Sequence, residues 1–425
     1  MDLLLIAVVA SGLFAYSLIS ERLQGTVITA PLVFIIFGFL IGGGGFAVVS
    51  IEPEHGLIHT IAELTLILIL FTDAARIDLS ALRRDHNLPV RMLTIGLPLT
   101  IIAGALIAVW LFPEFTLWEA ALLAALLAPT DAALGQSVVS STIVPVRIRL
   151  AINVESGLND GIVLPVVLLL AALTSTASEV SEASDWVRFG LMQVILGPIV
   201  GVAIGYIGAR LLDFTTEKKW IGESFQGIGI LALALLAFVS AEMVGGNGFI
   251  AAFVGGMVFG NTIRHSCTSL FDFMETDGQL LMLITFMVFG AVFLPEGLHN
   301  FDLTVFLYAL LSLTIIRMIP VALALLGTGV TLPTQLFLGW FGPRGLASIL
   351  FVLIILEEYK FTHHHELLAI TVVTVGLSAL LHGISAAPFA KMYGRLAAKM
   401  GECAENKQVS EHPLREGPSS SKSTE

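Results

Sequence analysis

The chain has 425 residues, 56% of them hydrophobic and 13% charged, where soluble domains carry about a quarter charged residues. That balance excludes an ordinary soluble domain and indicates a polytopic protein whose partner is the lipid bilayer. The formal net charge of −12 offers no cationic footprint for nucleic acid.

Apolar runs near the ~20 residues needed to cross ~30 Å of hydrocarbon recur along the sequence. They fall at about 3–20, 26–45, 57–75, 93–112, 117–137, 150–173, 189–211, 226–244, 246–263, 278–295, 302–327, 332–356 and 367–389. The expected fold is therefore an all-α polytopic membrane protein of thirteen transmembrane helices, with Gly245-Gly246 dividing the eighth from the ninth. Only Arg188 and Lys360 fall in outer segments and only Arg317 and Arg344 within spans; the rest of the 21 Lys and Arg lie on one side. Positive residues stay inside, which predicts an outer N-terminus and a cytoplasmic C-terminus. Cys267 and Cys403 then face the reducing side, so neither a disulfide nor thiol chemistry is expected. Met1-Asp2 lacks a basic leader, and the first apolar run is expected to be a retained helix. Residues 401–425 are polar and Ser-rich and are expected to be a short disordered cytoplasmic tail.

Ser11-Gly12 and the glycines at 42–45 read as packing or loop positions. In the third span Glu63 and Asp73 are ten residues apart and share a helix face. Asp73 has Arg76 nearby, whereas Glu63 lies deep enough to line an ion path. The fifth span contains Leu127-Ala128-Pro129-Thr130-Asp131. Proline lacks an N–H and clashes with the preceding turn, so the helix should break there. Asp131 is then expected near the start of the second half-helix, where the dipole favours a carboxylate.

The sixth span holds Asn153-Val154-Glu155-Ser156-Gly157-Leu158-Asn159-Asp160-Gly161. A charge at mid-membrane costs about 2.5–3.5 kcal/mol, so it persists with a partner, a proton or an ion. Glu155, Ser156, Asn159 and Asp160 spread over about 140° of one face. Gly157 and Gly161 leave another edge bare for close packing. The polar face offers oxygen ligands plus an amide donor, which suits a hard cation better than zinc or copper.

Arg317 is an intramembrane cation flanked by apolar residues on both sides, and Glu155 is the acid expected to pair with it. The twelfth span carries Phe341-Gly342-Pro343-Arg344-Gly345, a second proline-broken, charged helix. Spans 1–6 and 8–13 read as two six-helix halves, inverted by the odd helix between them. The interrupted helix is fifth in each, and such paired interruptions mark transporter sites. His363-His364-His365-Glu366 lacks the spacing of a zinc motif and is expected to be a solvated outer loop.

The segments Ala128–Ala132 (A-P-T-D-A), Glu155–Gly161 (E-S-G-L-N-D-G) and Gly342–Gly345 (G-P-R-G), with Arg317 in the eleventh span, resemble the NhaP-type cation/proton antiporters. Those belong to the monovalent cation/proton antiporter family, which includes the animal sodium/proton exchangers. The resemblance covers about residues 1–395. It implies a homodimer with a dimerisation part (about 1–92 and 212–300) and a core part (about 93–173 and 302–390) that moves as an elevator. Helices 5 and 12 would cross as unwound segments beside the ion.

By position, Asp160 would be the carboxylate shared by cation and proton. Ser156, Thr130 and Asp131 would contribute ligands, with Glu155 beside them and paired to Arg317. Asn159 would tie down the unwound fifth helix. Glu63, Asp73 and Arg344 are secondary candidates. The Asn159-Asp160 pair, in place of two adjacent aspartates, implies electroneutral exchange.

The expected function is secondary active antiport of sodium or lithium against protons, with no cofactor and no enzymatic activity. The implied location is a bacterial inner (plasma) membrane. A potassium/proton exchanger is the alternative within the class. A cation channel would need a continuous lined pore, and an intramembrane hydrolase would need a nucleophile–base pair or zinc spacing at depth.

Overall fold

The computed structural model describes residues 3–23, 26–48, 56–77, 79, 87–131, 134–139, 141–175, 183–264, 268–359, 361–400 and 405. Cys267, Cys403, Arg83, Arg84, Lys360 and the polar tail apart from Glu405 lie outside the described residues, and so do the expectations resting on them. Every regular element among the described residues is a helix.

In chain order the helices are α1 (Leu3–Ser17), α2 (Ala30–Ile41), α3 (Gly56–Ala75), α4 (Asn87–Leu111) and α5 (Leu117–Leu126). Next come α6 (Val146–Thr174), α7 (Ala183–Glu217), α8 (Glu223–Met243) and α9 (Gly248–Thr262). α10 starts as Thr268–Val288 and runs through a π turn at Phe289–Phe293 into Leu294–His299. The last are α11 (Leu303–Leu313), α12 (Ile315–Ala324), α13 (Leu332–Trp340), α14 (Leu346–Glu358) and α15 (His364–Lys399). Seven described helices are long and apolar enough to cross a membrane, and five shorter apolar helices accompany them. The fold class matches the expectation, while a count of thirteen spans is not fixed by these elements.

The boundary between the eighth and ninth spans is a closed turn. Gly245 adopts φ +80°, its N–H donates to Glu242 O (3.0 Å), and the Gly246 N–H reaches back to Ala241 O (2.9 Å). That is a Schellman cap, and its left-handed residue has to be glycine-like. Asn247 then opens α9 by accepting the Ile250 N–H at 3.0 Å.

The described residues divide into two compact units. The second unit comprises Leu64–His86 and Val180–Leu281. It is held by glycine edges: a Cβ at Gly201 or Gly205 would collide with the Ala251 or Gly255 backbone of α9, and one at Gly256 or Gly260 with Phe71 or Ala75. Without Cβ atoms the helix backbones approach closely, the usual means of association in lipid.

The first unit comprises Met1–Glu63, Asn87–Glu179 and Met282–Gln408 and contains both interrupted helices. α5 opens with a capping box, Thr116 Oγ1 accepting the Glu119 N–H (3.2 Å) and Glu119 Oε2 accepting the Thr116 N–H (2.9 Å). It stops at Leu126 because Pro129 cannot donate to Ala125 and bars the helical region for Ala128. α13 stops at Trp340 and α14 resumes at Leu346, with Pro343 acting in the same way. The eleventh predicted span holds a further interruption that was not anticipated. Thr314 leaves helical geometry at φ −117°, ψ −96°, its hydroxyl donating to Leu310 O at 2.6 Å, and Arg317 lies in the first turn of α12.

Candidate functional site

The site is assembled where the two helix breaks touch. The Asp131 N–H donates to Pro343 O at 2.8 Å, backbone to backbone. The Asp131 carboxylate accepts the Leu346 N–H at 3.0 Å, so it caps the start of α14. Its place differs from the expectation: Asp131 serves the N-terminus of the other interrupted helix, and its own chain resumes only as a one-turn helix at Gln136–Val139. Gly345 makes this approach possible, because a Cβ there would collide with the Asp131 side chain.

Arg344 returns the exchange. Its Nη1 donates to Ala128 O (2.7 Å) and Pro129 O (3.3 Å), the carbonyls left without helical donors beyond the end of α5. A carboxylate at one helix N-terminus and a guanidinium at another's C-terminal end each oppose the local dipole. Arg344 is fully buried, and its Nη1 satisfies two backbone carbonyls that lipid could not.

α6 supplies the third wall. Ser156 Oγ donates to Thr130 O at 2.5 Å and Asn159 Nδ2 to Thr130 Oγ1 at 2.6 Å. Both therefore grip the unwound segment through one residue, Thr130. Four residues beyond Ser156, Asp160 is half-buried on the same helix. On the flank, Arg317 Nη2 lies 2.8 Å from Glu155 Oε2, with both side chains almost fully buried. A buried pair of this kind cancels two charges that would each be costly alone.

A cavity of about 10 Å³ is lined by Thr130, Asp131, Gly135, Val138, Ile152, Ser156, Phe341 and Pro343. That volume suits about one water-sized occupant. Its lining is mostly apolar, and Thr130, Asp131 and Ser156 are the lining residues with side-chain oxygen, the atom type that a hard cation takes. Among the described residues no cluster of three or more His, Cys, Asp or Glu is placed to hold a metal.

Thr130, Asp131 and Ser156 thus share one cavity, while Asp160 is not in its lining. Glu63 is half-buried in the first unit, and Asp73 is half-buried in the second. The His363 side chain is only 21% exposed, with Nδ1 3.0 Å from the buried Glu119 carboxylate, and its ring stacks on Phe115. The loop reading is corrected: His363 lies in the turn before α15 but is docked against the capping box of α5 and not fully solvated, while His364, His365 and Glu366 are exposed in the first turn of α15 and not in a loop. Sequence reasoning passed over Ser378 and His382, which touch the second break. The available signal was a polar pair four residues apart inside the last apolar helix.

A family model described as the transmembrane domain of sodium/hydrogen exchangers matches residues 6–392. The chain belongs to that family. Within it, the chain is 27% identical over 353 residues to the K(+)/H(+) antiporter NhaP of Alkalimonas amylolytica, covering 83% of this chain and 58% of that protein. It is 26% identical to the K(+)/H(+) antiporter NhaP2 of Shewanella sp. strain ANA-3, over 81% of this chain and 58% of that one. The chain therefore spans a little over half the length of these relatives. It is also 30% identical to the Na(+)/H(+) antiporter 2 of Zygosaccharomyces rouxii, over 57% of this chain and 32% of that protein. The fold is that of the sodium proton antiporter MjNhaP1 from Methanocaldococcus jannaschii, with a TM-score of 0.75 at 19% identity, covering 91% of this chain and 96% of that one.

Proposed function

We propose that this family member is a secondary active antiporter that exchanges a monovalent cation, sodium or lithium, for protons by alternating access. The observation that supports the reading is the meeting of the two helix breaks beside α6, where a small cavity is bordered by the oxygen-bearing side chains of Thr130, Asp131 and Ser156 among apolar neighbours. Asp160, on the same face of α6, is the carboxylate shared between ion and proton. A bare charge crossing the membrane interior is too costly, so Asp160 crosses either protonated or ion-bound, and that obligation couples the two fluxes. Thr130, Asp131 and Ser156 contribute oxygens, and Asn159 holds Thr130 in place. Glu155 stands beside them, neutralised by Arg317, so one cation replaces one proton and the exchange is electroneutral. Glu63, Asp73 and Arg344 are secondary candidates for the ion path.

The core part (about 93–173 and 302–390) moves against a dimerisation part (about 1–92 and 212–300) in a homodimer of a bacterial inner membrane. The N-terminus is outside and the C-terminus cytoplasmic. Potassium/proton exchange is the second reading, favoured by the names of the Alkalimonas and Shewanella relatives. The experiment is proton flux in proteoliposomes driven by sodium, lithium or potassium gradients. Flux with potassium alone selects the second reading, and cation conductance without proton movement rejects both.

A further inference from the structure

Both sides of the second break are fastened to a single turn of α15. On the far side, the Arg344 N–H donates to Ser378 Oγ at 2.7 Å. On the near side, His382 Nε2 lies 2.9 Å from Trp340 O, the carbonyl that ends α13. Between them, His382 Nδ1 lies 3.2 Å from Ser378 Oγ and 3.0 Å from Ser378 O. Ser378, His382 and Arg344 are all fully buried. The Trp340 indole is held to the same helix, Nε1 donating to Ser385 Oγ at 2.9 Å.

One ring proton is set by its partner. Trp340 O only accepts, so His382 Nε2 carries a hydrogen. Ser378 Oγ already accepts from Arg344, so its own hydrogen is available for Nδ1. Nδ1 faces both the Ser378 hydroxyl and the Ser378 carbonyl, so the contact that ties the ring to the break is the one from Nε2 to Trp340 O.

We propose that His382 is a positioning residue for the cation site. It holds Trp340 O directly and the Arg344 N–H through Ser378, and so sets the spacing of the break 341–345. That spacing decides whether Pro343 O meets the Asp131 N–H and whether Asp131 reaches Leu346, contacts that place Thr130 and Asp131 around the cavity. The transport part of the inference rests on the exchange reading above.

The test uses the full chain in proteoliposomes and a second readout, amide hydrogen exchange of 342–346. Losing a buried hydrogen bond corresponds to about a tenfold effect, so H382A should raise the half-saturating sodium concentration and the amide exchange of 342–346 each by roughly that factor. The pH optimum should not move. H382Q, whose amide nitrogen can replace Nε2, should recover most of both losses, and S378A, which removes the hydroxyl that joins the Arg344 N–H to His382 but leaves the Trp340 O contact, should reproduce part of them. Should H382A fail to fold, the same comparison is made with H382Q and S378A: unchanged exchange of 342–346 in S378A would overturn the proposal. Wild-type values in H382A, no recovery in H382Q, or a displaced pH optimum would overturn it too, the last by making His382 a titrating group. A wild-type protein without cation-driven proton flux refutes the exchange reading alone, since the amide exchange still decides whether His382 holds the break.

Discussion

The carboxylate of Asp131 accepts the main-chain N–H of Leu346 at 3.0 Å, so an acid in one helix break caps the helix that begins after the other. Removing such a cap costs about 1 kcal/mol. Asp131→Ala is expected to lower stability by about that amount, whereas Asp131→Asn keeps an acceptor and should lose only the dipole contribution of a few tenths to ~1 kcal/mol. Thermal unfolding in detergent measures both, and equal destabilisation by Ala and Asn would argue against the cap.

Gly345 lies under that carboxylate. Gly345→Ala drives a Cβ into the Asp131 side chain and should abolish the contact between the breaks, with loss of folded yield. Combined with Asp131→Gly, its effect should be smaller than the sum of the two singles, the mark of directly coupled sites. Simple additivity would mean that the collision is relieved elsewhere.

Asp160→Asn keeps the shape of the side chain and removes its titrating charge. The variant is expected to fold and to show no cation-driven proton flux. A flux of even about a tenth of the wild-type rate, roughly a 1.4 kcal/mol effect, would move the shared-carboxylate role to another residue.

Arg317 and Glu155 are 2.8 Å apart and buried. Breaking a buried pair from one side costs about 3–5 kcal/mol, while replacing both partners is often near neutral. Arg317→Ala should therefore depress folded yield strongly, and Glu155→Gln with Arg317→Gln should be milder than either single change predicts. The readout is a double-mutant cycle on thermal stability.

Charge movement follows from the same pair. If Glu155 stays neutralised, Asp160 alone changes occupant, one cation replaces one proton, and no net charge crosses. The membrane potential acts at about 2.3 kcal/mol per charge per 100 mV, so sodium-driven exchange should be indifferent to a potential clamped with valinomycin and potassium. A several-fold change in rate would show that Asp131 or Glu155 titrates as well.

Some of this was legible before folding. Composition alone requires a bilayer, because 56% hydrophobic residues could not all be covered in water. The interruptions at Pro129 and Pro343 are local consequences of a missing N–H. The polar face of α6 follows from helical periodicity, which sets Ser156, Asn159 and Asp160 side by side whatever the rest of the chain does.

Only the tertiary structure decided which of those groups meet. Asp131 was expected to begin its own half-helix, and it caps α14, 215 positions away. Arg344 had no assigned partner and closes the carbonyls of Ala128 and Pro129. His382 carried no motif at all, yet it reaches Trp340 O across 42 positions. The physical reason is the same in each case. A break in a helix creates donors and acceptors that lipid cannot satisfy. Sequence marks where they arise, but their partners are set by how the broken helices cross.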